Sequence, residues 1–208
     1  MLEVYRNVSS LSAANNIKFM RYFRSAAVDF AGPYLLKASG GRGIKTSKGY
    51  IASFFCMSTD AMHLELVSSL SSQDFLAAFR SLISRRGAIV DVYSDNGTNF
   101  VGANKEISLM VDQCLADLKV RHYFIDSRIS WHFNPPSAPH MGGYWEAGIK
   151  RIKYHIKRAL GNVLLTYEEF NTLLTEVEAC VNSRPLVDHS SQPADVHPLT
   201  PGQMEDWS

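Results

Sequence analysis

Cysteine is scarce in this sequence, and long apolar runs are missing. The chain of 208 residues has three cysteines, Cys56, Cys114 and Cys180, which lie far apart and form no Cys-x-x-Cys pair. This spacing excludes a zinc site built from cysteines, disfavours a disulfide framework and indicates a reducing compartment. The longest apolar run, residues 51–57, is too short for a transmembrane helix. The first residues lack the apolar core of a secretory signal.

Charge of one sign is also scarce, because the formal net charge is only +1. The total therefore gives no support to a nucleic-acid partner, and the distribution of charge matters more. Residues 150–158 carry five lysines and arginines and one histidine, with no acid among them. Hydrophobic residues make up 46% and charged residues 20% of the chain. These fractions are typical of a folded globular protein, and the length suits one domain.

Hydrophobic patterns predict a chain that begins with strands and ends with helices. Strands are predicted over residues 26–30, 50–57, 61–67 and 89–93, with a fifth at either 123–125 or 129–133. Helices are predicted over residues 71–86, 103–117, 143–160 and 166–182. Ala31-Gly32-Pro33 should end the first strand, and residues 37–49 read as a polar hairpin loop. This order predicts an α/β fold, in which a mixed five-stranded sheet is flanked by helices on both faces.

Three acids stand where a two-metal phosphoryl-transfer site would need converging carboxylates. Asp29 lies inside an apolar strand, where an unpaired buried acid is costly, although it could also be a surface acid on a strand edge. Asp95 follows the fourth strand, where functional acids cluster in open α/β sheets, or it could serve the Asn96-Gly97 turn. Glu146 lies near the start of the long helix and could simply favour the helix dipole.

The long helix adds a second signal beside Glu146. Lys150 is four residues and Lys153 seven residues further on, so both share the face of Glu146. Lysines placed beside a metal-binding carboxylate could neutralise DNA phosphates. The alternative is an intrahelical Glu–Lys pair that contributes a few tenths of a kcal/mol.

These segments resemble the three acidic motifs of retroviral-type integrases. The motifs occupy residues 28–33, 94–100 and 139–146, and they are most similar to the BEL/Pao class of long-terminal-repeat retrotransposons. Further segments that resemble that class are residues 63–67, 79–87, 182–186 and 199–202. The resemblance covers residues 26–202, and three motifs in the same order make it specific. It does not extend to the zinc-binding His/Cys domain or to the downstream DNA-binding domain that usually flank such cores.

The resemblance implies a ribonuclease H-like fold and a metal-dependent enzyme. It implies that Asp29, Asp95 and Glu146 are the catalytic residues and ligate two Mg²⁺ or Mn²⁺ ions. The spacing between the second and third acids is longer than the retroviral pattern and similar to the BEL/Pao class. The extra length, around residues 114–128, should form a surface excursion.

The resemblance also implies partners and a location. Lys150 and Lys153 should approach the DNA ends of the element, with Asn96 and His140 as further DNA contacts. His140 could instead order the proline-rich loop. DNA, both element ends and target, is the expected partner, together with further copies of the chain and no membrane. Synthesis in the cytoplasm and action in the nucleus follow from integration.

The predicted organisation has three parts. Residues 1–25 form an N-terminal extension, residues 26–186 the integrase core, and residues 187–208 a C-terminal tail. Some side chains are not assigned to chemistry. His63 is expected to be packed and not a ligand, Asp60 and Glu65 are expected at the surface, and Trp131 should anchor the core or a loop.

Three functions remain open from the sequence. The first is an active polynucleotidyl transferase that processes DNA ends and joins strands. The second is a catalytically silent, domesticated or fragmentary nucleic-acid-binding module derived from an integrase. The third is a ribonuclease H, which needs a fourth carboxylate. Asp74 is the only candidate near the first helix, and it reads as a helix-start residue. The most informative assay is Mg²⁺- or Mn²⁺-dependent strand transfer or disintegration on oligonucleotides, with Asp95→Asn as the control.

Overall fold

The computed structural model describes residues 23–38, 45–94, 113, 116–133, 139–161, 163–185 and 200–202. The strands are β1 (Ser25–Lys37), β2 (Thr46–Cys56), β3 (Met62–Val67), β4 (Asp91–Ser94) and β5 (Ser130–Phe133). The helices are α1 (Ser72–Arg86), α2 (Leu118–Asp126), α3 (Pro139–Leu160) and α4 (Tyr167–Asn182). None of the helices within these ranges combines the length and apolar character needed to cross a membrane.

The five strands form one mixed sheet in the order β3-β2-β1-β4-β5. The first three strands are antiparallel neighbours, and β1, β4 and β5 run parallel to one another. Consecutive hairpins thus build one half, and crossover connections build the other. The predicted α/β class with a mixed five-stranded sheet and flanking helices is confirmed, and β1 is its central strand.

β1 is longer than predicted. Its pairing with β2 continues to the pair Lys37–Thr46, whereas Ala31-Gly32-Pro33 was expected to end it. The register shifts between Ala31 and Tyr34, where the Gly32–Pro33 peptide is cis. Proline cannot donate to the ladder, but an irregularity at that point lets the strand resume beyond it. The polar segment predicted as a loop is therefore strand at both of its ends.

Alternating side chains divide the core between the two faces of the sheet. One face packs against α1 and α2, with large buried residues such as Phe54, Phe79 and Phe124. The other packs against α3 and α4, with Phe55, Ile152 and other apolar residues. Strands with both faces covered need apolar residues at successive positions, and this explains the continuous burial of residues 51–56 of β2.

Side chains and glycines define the helix ends. Ser71 caps α1 by accepting from the backbone N–H of Asp74, and Gly87 ends it at φ 89°, a value that suits glycine. A capping box between Thr166 and Glu169 begins α4, as predicted. α3 begins at Pro139, four residues before the predicted start. Proline is tolerated there because the first helical N–H groups have no intrahelical partner.

The segment before β5 differs from its prediction. Residues 118–126 form α2, so the alternative of a strand at 123–125 is wrong, and β5 confirms the alternative at 129–133. Val120 and Phe124 are buried in the core under α1, so the expected surface excursion is partly wrong. Their spacing of four is the helical signal. The helix predicted at 103–117 lies almost wholly outside the described residues.

α4 covers the outer edge of β3 with side chains. The amide of Asn182 accepts from the backbone N–H of Met62 and donates to its carbonyl, both at 2.8 Å. Glu178 accepts from the N–H of Leu64 at 2.7 Å. The hydroxyl of Tyr167 donates to the carbonyl of Leu66 at 2.7 Å. Side chains of α4 thus bond to outward backbone groups at three successive alternate residues of this edge strand.

Candidate active site

Asp29 lies in the central strand, on the face that α3 and α4 cover. Side chains alternate along a strand, and Ala27 and Ala31 belong to the core under those helices. The Asp29 side chain is half-buried. Its Oδ1 accepts a hydrogen bond of 2.7 Å from the N–H of Phe30. Asp29 does not lie on an edge strand, because β1 has a paired strand on each side, although its side chain keeps partial exposure.

Ser53 is the neighbour of Asp29 on β2. It is fully buried, and within the described part of the chain its Oγ has no hydrogen-bond partner. A buried hydroxyl without a partner is unusual and costs free energy. A further polar group beside Asp29 would therefore be stabilised on this face of the sheet.

β4 ends beside the position of Asp29. Its last residue, Ser94, pairs with Val28, the residue before Asp29, in a parallel register. The indole N–H of Trp131 donates to Ser94 Oγ at 2.9 Å and fixes this end of the strand. Trp131 is thus an anchor, as predicted. Asp95, which follows Ser94 in the sequence, lies outside the described residues, and so does Asn96.

Glu146 lies on α3 with an exposed side chain. Two residues further on, Gly148 packs so closely against β2 that a Cβ there would lie 2.3 Å from Phe55 Cε1. Phe55 pairs with Ala27, which is two residues before Asp29. The glycine contact therefore holds this part of α3 against the central strands, with Glu146 less than one helical turn away.

The two described acids suit a hard divalent cation. Asp29 and Glu146 offer carboxylate oxygens, the ligands that Mg²⁺ prefers, and Ser53 adds a buried hydroxyl without a partner. Within the described ranges, no group of three or more His, Cys, Asp or Glu side chains could hold a metal ion. The predicted triad includes Asp95, which lies outside the described residues, so this absence does not bear on the triad.

The predicted DNA-binding lysines are both exposed. Lys150 and Lys153 lie on the solvent side of α3, as do Lys157 and Arg158. Among the described residues no ion pair joins Lys150 to Glu146, so the intrahelical pair proposed as an alternative is not formed. The α3 surface next to Glu146 is therefore a row of cations available to phosphates. The backbone of His140 lies in the first turn of α3.

Asp74 does not lie ready as a fourth metal ligand. Its Oδ2 accepts from the N–H of Ser69 at 2.8 Å and from the hydroxyls of Ser68 and Ser69 at 2.9 and 2.8 Å. These bonds hold the turn between β3 and α1. Asp74 is thus a helix-start residue. It is not placed as the fourth carboxylate that a ribonuclease H needs.

A buried polar cluster at the outer strand was missed by the sequence predictions. The β3 edge cluster consists of His63 and Glu65 on β3, Arg86 on α1 and Glu178 on α4. His63 Nε2 lies 3.0 Å from Glu65 Oε1, and its Nδ1 lies 3.4 Å from Glu178 Oε2. Arg86 donates to the other oxygen of Glu178. Glu65 is therefore not the surface acid that was expected, whereas His63 is packed, as expected.

His63, Glu65 and Glu178 of this cluster have shifted pKa values. Burial alone would lower the pKa of His63, but the carboxylates of Glu178 and Glu65 outweigh it and raise that pKa. Burial would raise the pKa of Glu65 and of Glu178, yet hydrogen bonding and attraction to His63 lower both. The alternation of His63 and Glu65 on one strand face was the available signal, whereas Glu178 is distant in sequence.

Asp60 was also expected at the surface and is partly buried. It forms ion pairs with Arg184, beyond α4, and with Arg151 of α3 at 3.7 Å. Residues 200–202 lie close to the end of α4, since the N–H of Gly202 donates to the carbonyl of Asn182 at 2.9 Å. Described residues of the segments 182–186 and 199–202, which the sequence analysis noted, thus lie together at the C-terminal end of α4.

No family model and no curated protein matches the sequence. Solved structures do match. A chain of the simian T-cell lymphotropic virus intasome, in complex with the PP2A regulatory subunit B56 gamma, superposes with a TM-score of 0.62 at 12% identity. This match covers 92% of the present chain and 57% of that one, so the chain spans less than two thirds of its neighbour. The fold has retroviral integrase counterparts.

Isolated catalytic cores match over nearly their whole length. The HTLV-2 integrase catalytic core domain in complex with magnesium gives a TM-score of 0.58 at 13% identity, covering 89% of this chain and 98% of that one. The BIV integrase catalytic core domain gives 0.56 at 12% identity, covering 88% and 93%. The chain has the ribonuclease H-like fold of retroviral integrase cores. At these identities the likeness concerns the fold.

Proposed function

We propose that this chain is the catalytic core of a retroelement integrase of the BEL/Pao class, which processes and joins DNA ends. The observation that carries the proposal is the parallel pairing of Val28 with Ser94. Each of these residues is followed directly by an acid, Asp29 and Asp95. Asp29 continues β1, and Asp95 is the first residue after β4, so the two acids belong to adjacent parallel strands. The fold and the neighbouring α3 support the same role.

Three acids from three elements would share the metals. Asp29 on β1, Asp95 after β4 and Glu146 on α3 supply oxygen ligands of the kind that Mg²⁺ or Mn²⁺ takes. Two bound ions would activate the attacking oxygen and stabilise the leaving oxygen of an in-line displacement. A neighbour, the HTLV-2 core, is described in complex with magnesium, which supports a divalent ion here.

The protein's own contribution is positioning and charge. Lys150 and Lys153 lie one and two turns beyond Glu146 and would neutralise phosphates beside the acids. Asn96 and His140 are proposed as further DNA contacts. The close approach of Gly148 to Phe55 fixes the depth at which Glu146 is held over the sheet. Correct geometry is a large part of phosphoryl-transfer catalysis, so this contact is part of the proposal.

Partners and location follow from the same proposal. DNA ends and target DNA are the substrates, and further copies of the chain would assemble on them in the nucleus. Intasome and oligomeric core structures among the neighbours support both partners. Residues 26–186 are proposed as the catalytic unit.

The deciding experiment is strand transfer on oligonucleotides with Mg²⁺ or Mn²⁺, in the wild type and in Asp95→Asn. Joining should be lost in the variant because Asn keeps the shape of Asp and lacks its charge. Mg²⁺ should raise the melting temperature of the wild type by mass action, and that of the variant less. Asp126→Asn, at an exposed acid that ends α2, is the matched control.

Two results would redirect the proposal. An Asp95→Asn protein that still joins strands would leave this acid only a role in the Asn96-Gly97 turn and would refute the triad. A wild type that binds DNA yet joins none with either metal would favour the silent, integrase-derived module.

A further inference from the structure

Tyr154 is an exposed aromatic residue in the most basic part of α3. The residue is 56% exposed, among the most exposed large hydrophobic residues of the described chain. Lys153 precedes it, and Lys157 and Arg158 follow on the same solvent side of the helix. Proteins that bind single-stranded nucleic acids combine these features, a cationic track and aromatic rings on which bases stack.

The tyrosine ring is held in a defined orientation. Arg158, one turn further along α3, donates to Tyr154 Oη at 2.9 Å, and its guanidinium carbon lies 5.8 Å from the ring centroid. His155 meets the ring edge-on, with centroids 5.5 Å apart and planes at 82°. A ring that is already ordered loses little freedom when a base stacks on it, which favours binding. A cation beside the ring adds to this stacking.

The position of Tyr154 relates it to the proposed active site. It lies eight residues after Glu146, which is about 12 Å along the helix axis at 1.5 Å per residue. That length corresponds to roughly three or four nucleotides at about 3.4 Å each along a strand. Eight residues also turn the side chain by about 80° from Glu146, so Tyr154 flanks the Lys150–Lys153 row.

We infer that Tyr154 is a stacking site for an unpaired base of the DNA end, three or four nucleotides from the phosphate that reacts at Glu146. The inference rests on the proposed function and names its substrate more closely, as a duplex with a frayed or single-stranded end. Lys150 and Lys153 contact phosphates in paired and unpaired DNA alike, whereas only an unpaired base exposes a face to Tyr154. The residue thereby selects ends over continuous duplex.

The test compares two DNA ligands on the full chain. One is a blunt duplex, and the other carries a four-nucleotide single-stranded extension with 2-aminopurine at successive positions. The wild type should bind the extended duplex about 5- to 150-fold more tightly, the range expected for one stacked base. The fluorescence of 2-aminopurine should be quenched at one position, because stacking on an aromatic ring quenches it.

Matched variants separate stacking from charge. Tyr154→Phe keeps the ring and should keep both the preference and the quenching. Tyr154→Leu removes the ring and should bring the ratio of the two affinities close to one. Tyr154→Gln serves the same purpose, with circular dichroism confirming that each variant folds. Lys150→Ala should weaken binding of both ligands and preserve their ratio.

The outcomes are distinct. Loss of preference and quenching in Tyr154→Leu and Tyr154→Gln, with retention in Tyr154→Phe, supports the inference. A wild type without preference, or a leucine variant that keeps it, overturns the inference and makes Tyr154 only the partner of Arg158. Strand transfer by blunt substrates, measured in parallel, reports on the proposed function alone. The two proposals can therefore fail separately.

Discussion

The outer strand and the central strand of the sheet both carry acids, in opposite surroundings. At β3, Glu65 and Glu178 lie against His63 and Arg86, and Glu178 also accepts from the backbone N–H of Leu64. On α3, which packs beside the central strands, Glu146 is exposed and forms no ion pair within the described residues. The acids of the β3 edge cluster are neutralised by the protein itself, whereas Glu146 faces outward.

This contrast indicates what each group of acids is for. Acids that are paired with buried cations stabilise the packing of helices on the sheet and have no charge left for a ligand. An exposed acid that forms no ion pair within the described residues, such as Glu146, keeps its charge for a ligand, and a divalent cation prefers such an oxygen. The comparison therefore predicts that one region controls folding and the other controls activity.

The largest expected effect concerns Asp29. Asp29→Asn should lower metal-dependent strand transfer by about a thousandfold or more, because several kcal/mol of transition-state stabilisation depend on each metal site. The hydrogen bond from Phe30 can be kept by the amide oxygen, so the free energy of unfolding should change by less than about 1 kcal/mol. Strand transfer and urea unfolding, measured on the same sample, check both halves. A large loss of stability would make Asp29 a structural acid.

The converse holds for Glu178. Glu178→Ala removes the partner of Arg86 and of His63 and leaves the N–H of Leu64 without its acceptor. Breaking a buried ion pair costs about 3 kcal/mol or more, and urea unfolding should show that loss. Glu176→Ala, at an exposed acid on the same helix, should change the unfolding free energy by no more than about 0.5 kcal/mol. Equal effects of the two variants would refute the role of the cluster.

The pH dependence of stability should come from the β3 edge cluster, and His63 should account for its alkaline side. Its pKa is raised in the folded chain, so its stabilising effect is complete below its ordinary pKa and is lost as the pH rises through the folded value. Glu65 and Glu178 have lowered pKa values, so their contributions are complete above the ordinary carboxyl range and are lost as the pH falls through the folded values.

The cluster should therefore stabilise most between the ordinary carboxyl pKa and the ordinary histidine pKa, about 4.5 to 6.5. Unfolding free energies across the pH range, for the wild type and His63→Gln, measure the effect. The difference between the two proteins should shrink as the solution becomes alkaline. A constant difference would show that His63 is neutral throughout and acts only by packing.

The smallest effect per residue concerns the lysines of α3. Lys150→Ala and Lys153→Ala should each reduce the slope of log affinity against log salt by about 0.9, because each phosphate contact releases counterions. Lys48→Ala, at an exposed position on β2, should leave the slope unchanged. Titrations at several salt concentrations decide this. Unchanged slopes in the α3 variants would make the basic row a solvated surface.

The sequence predicted most of the fold because local signals agreed with the tertiary structure. Ser71, Gly87 and the Thr166–Glu169 capping box marked helix ends to within about a residue. Ala31-Gly32-Pro33 misled the prediction because a shift in register absorbed a proline that local rules treat as a stop. Residues 123–125 were misread as a possible strand, since three apolar or aromatic residues in a row hide the helical spacing of Val120 and Phe124.

Part of the candidate site could also be predicted, namely the part that local sequence signals describe. Asp29 and Glu146 follow patterns that depend on neighbours in the chain, and their motifs are recognisable. The role of Gly148 was not, because only the distance to Phe55 shows that a side chain has no room there. The β3 edge cluster escaped because Glu178 reaches His63 from more than a hundred residues away in sequence.

The cover that α4 provides over β3 has a consequence for how copies of this chain can associate. An open edge strand is a template on which another chain can extend the sheet, and this growth leads to swapped strands or fibrils. Asn182, Glu178 and Tyr167 already occupy the hydrogen-bonding positions that an incoming strand at β3 would need. A second copy would have to displace α4 before it could add a strand there. Copies of the chain can therefore associate at this side only through side-chain surfaces and not by extending the sheet. A variant in which α4 packs less firmly on β3 should aggregate more readily.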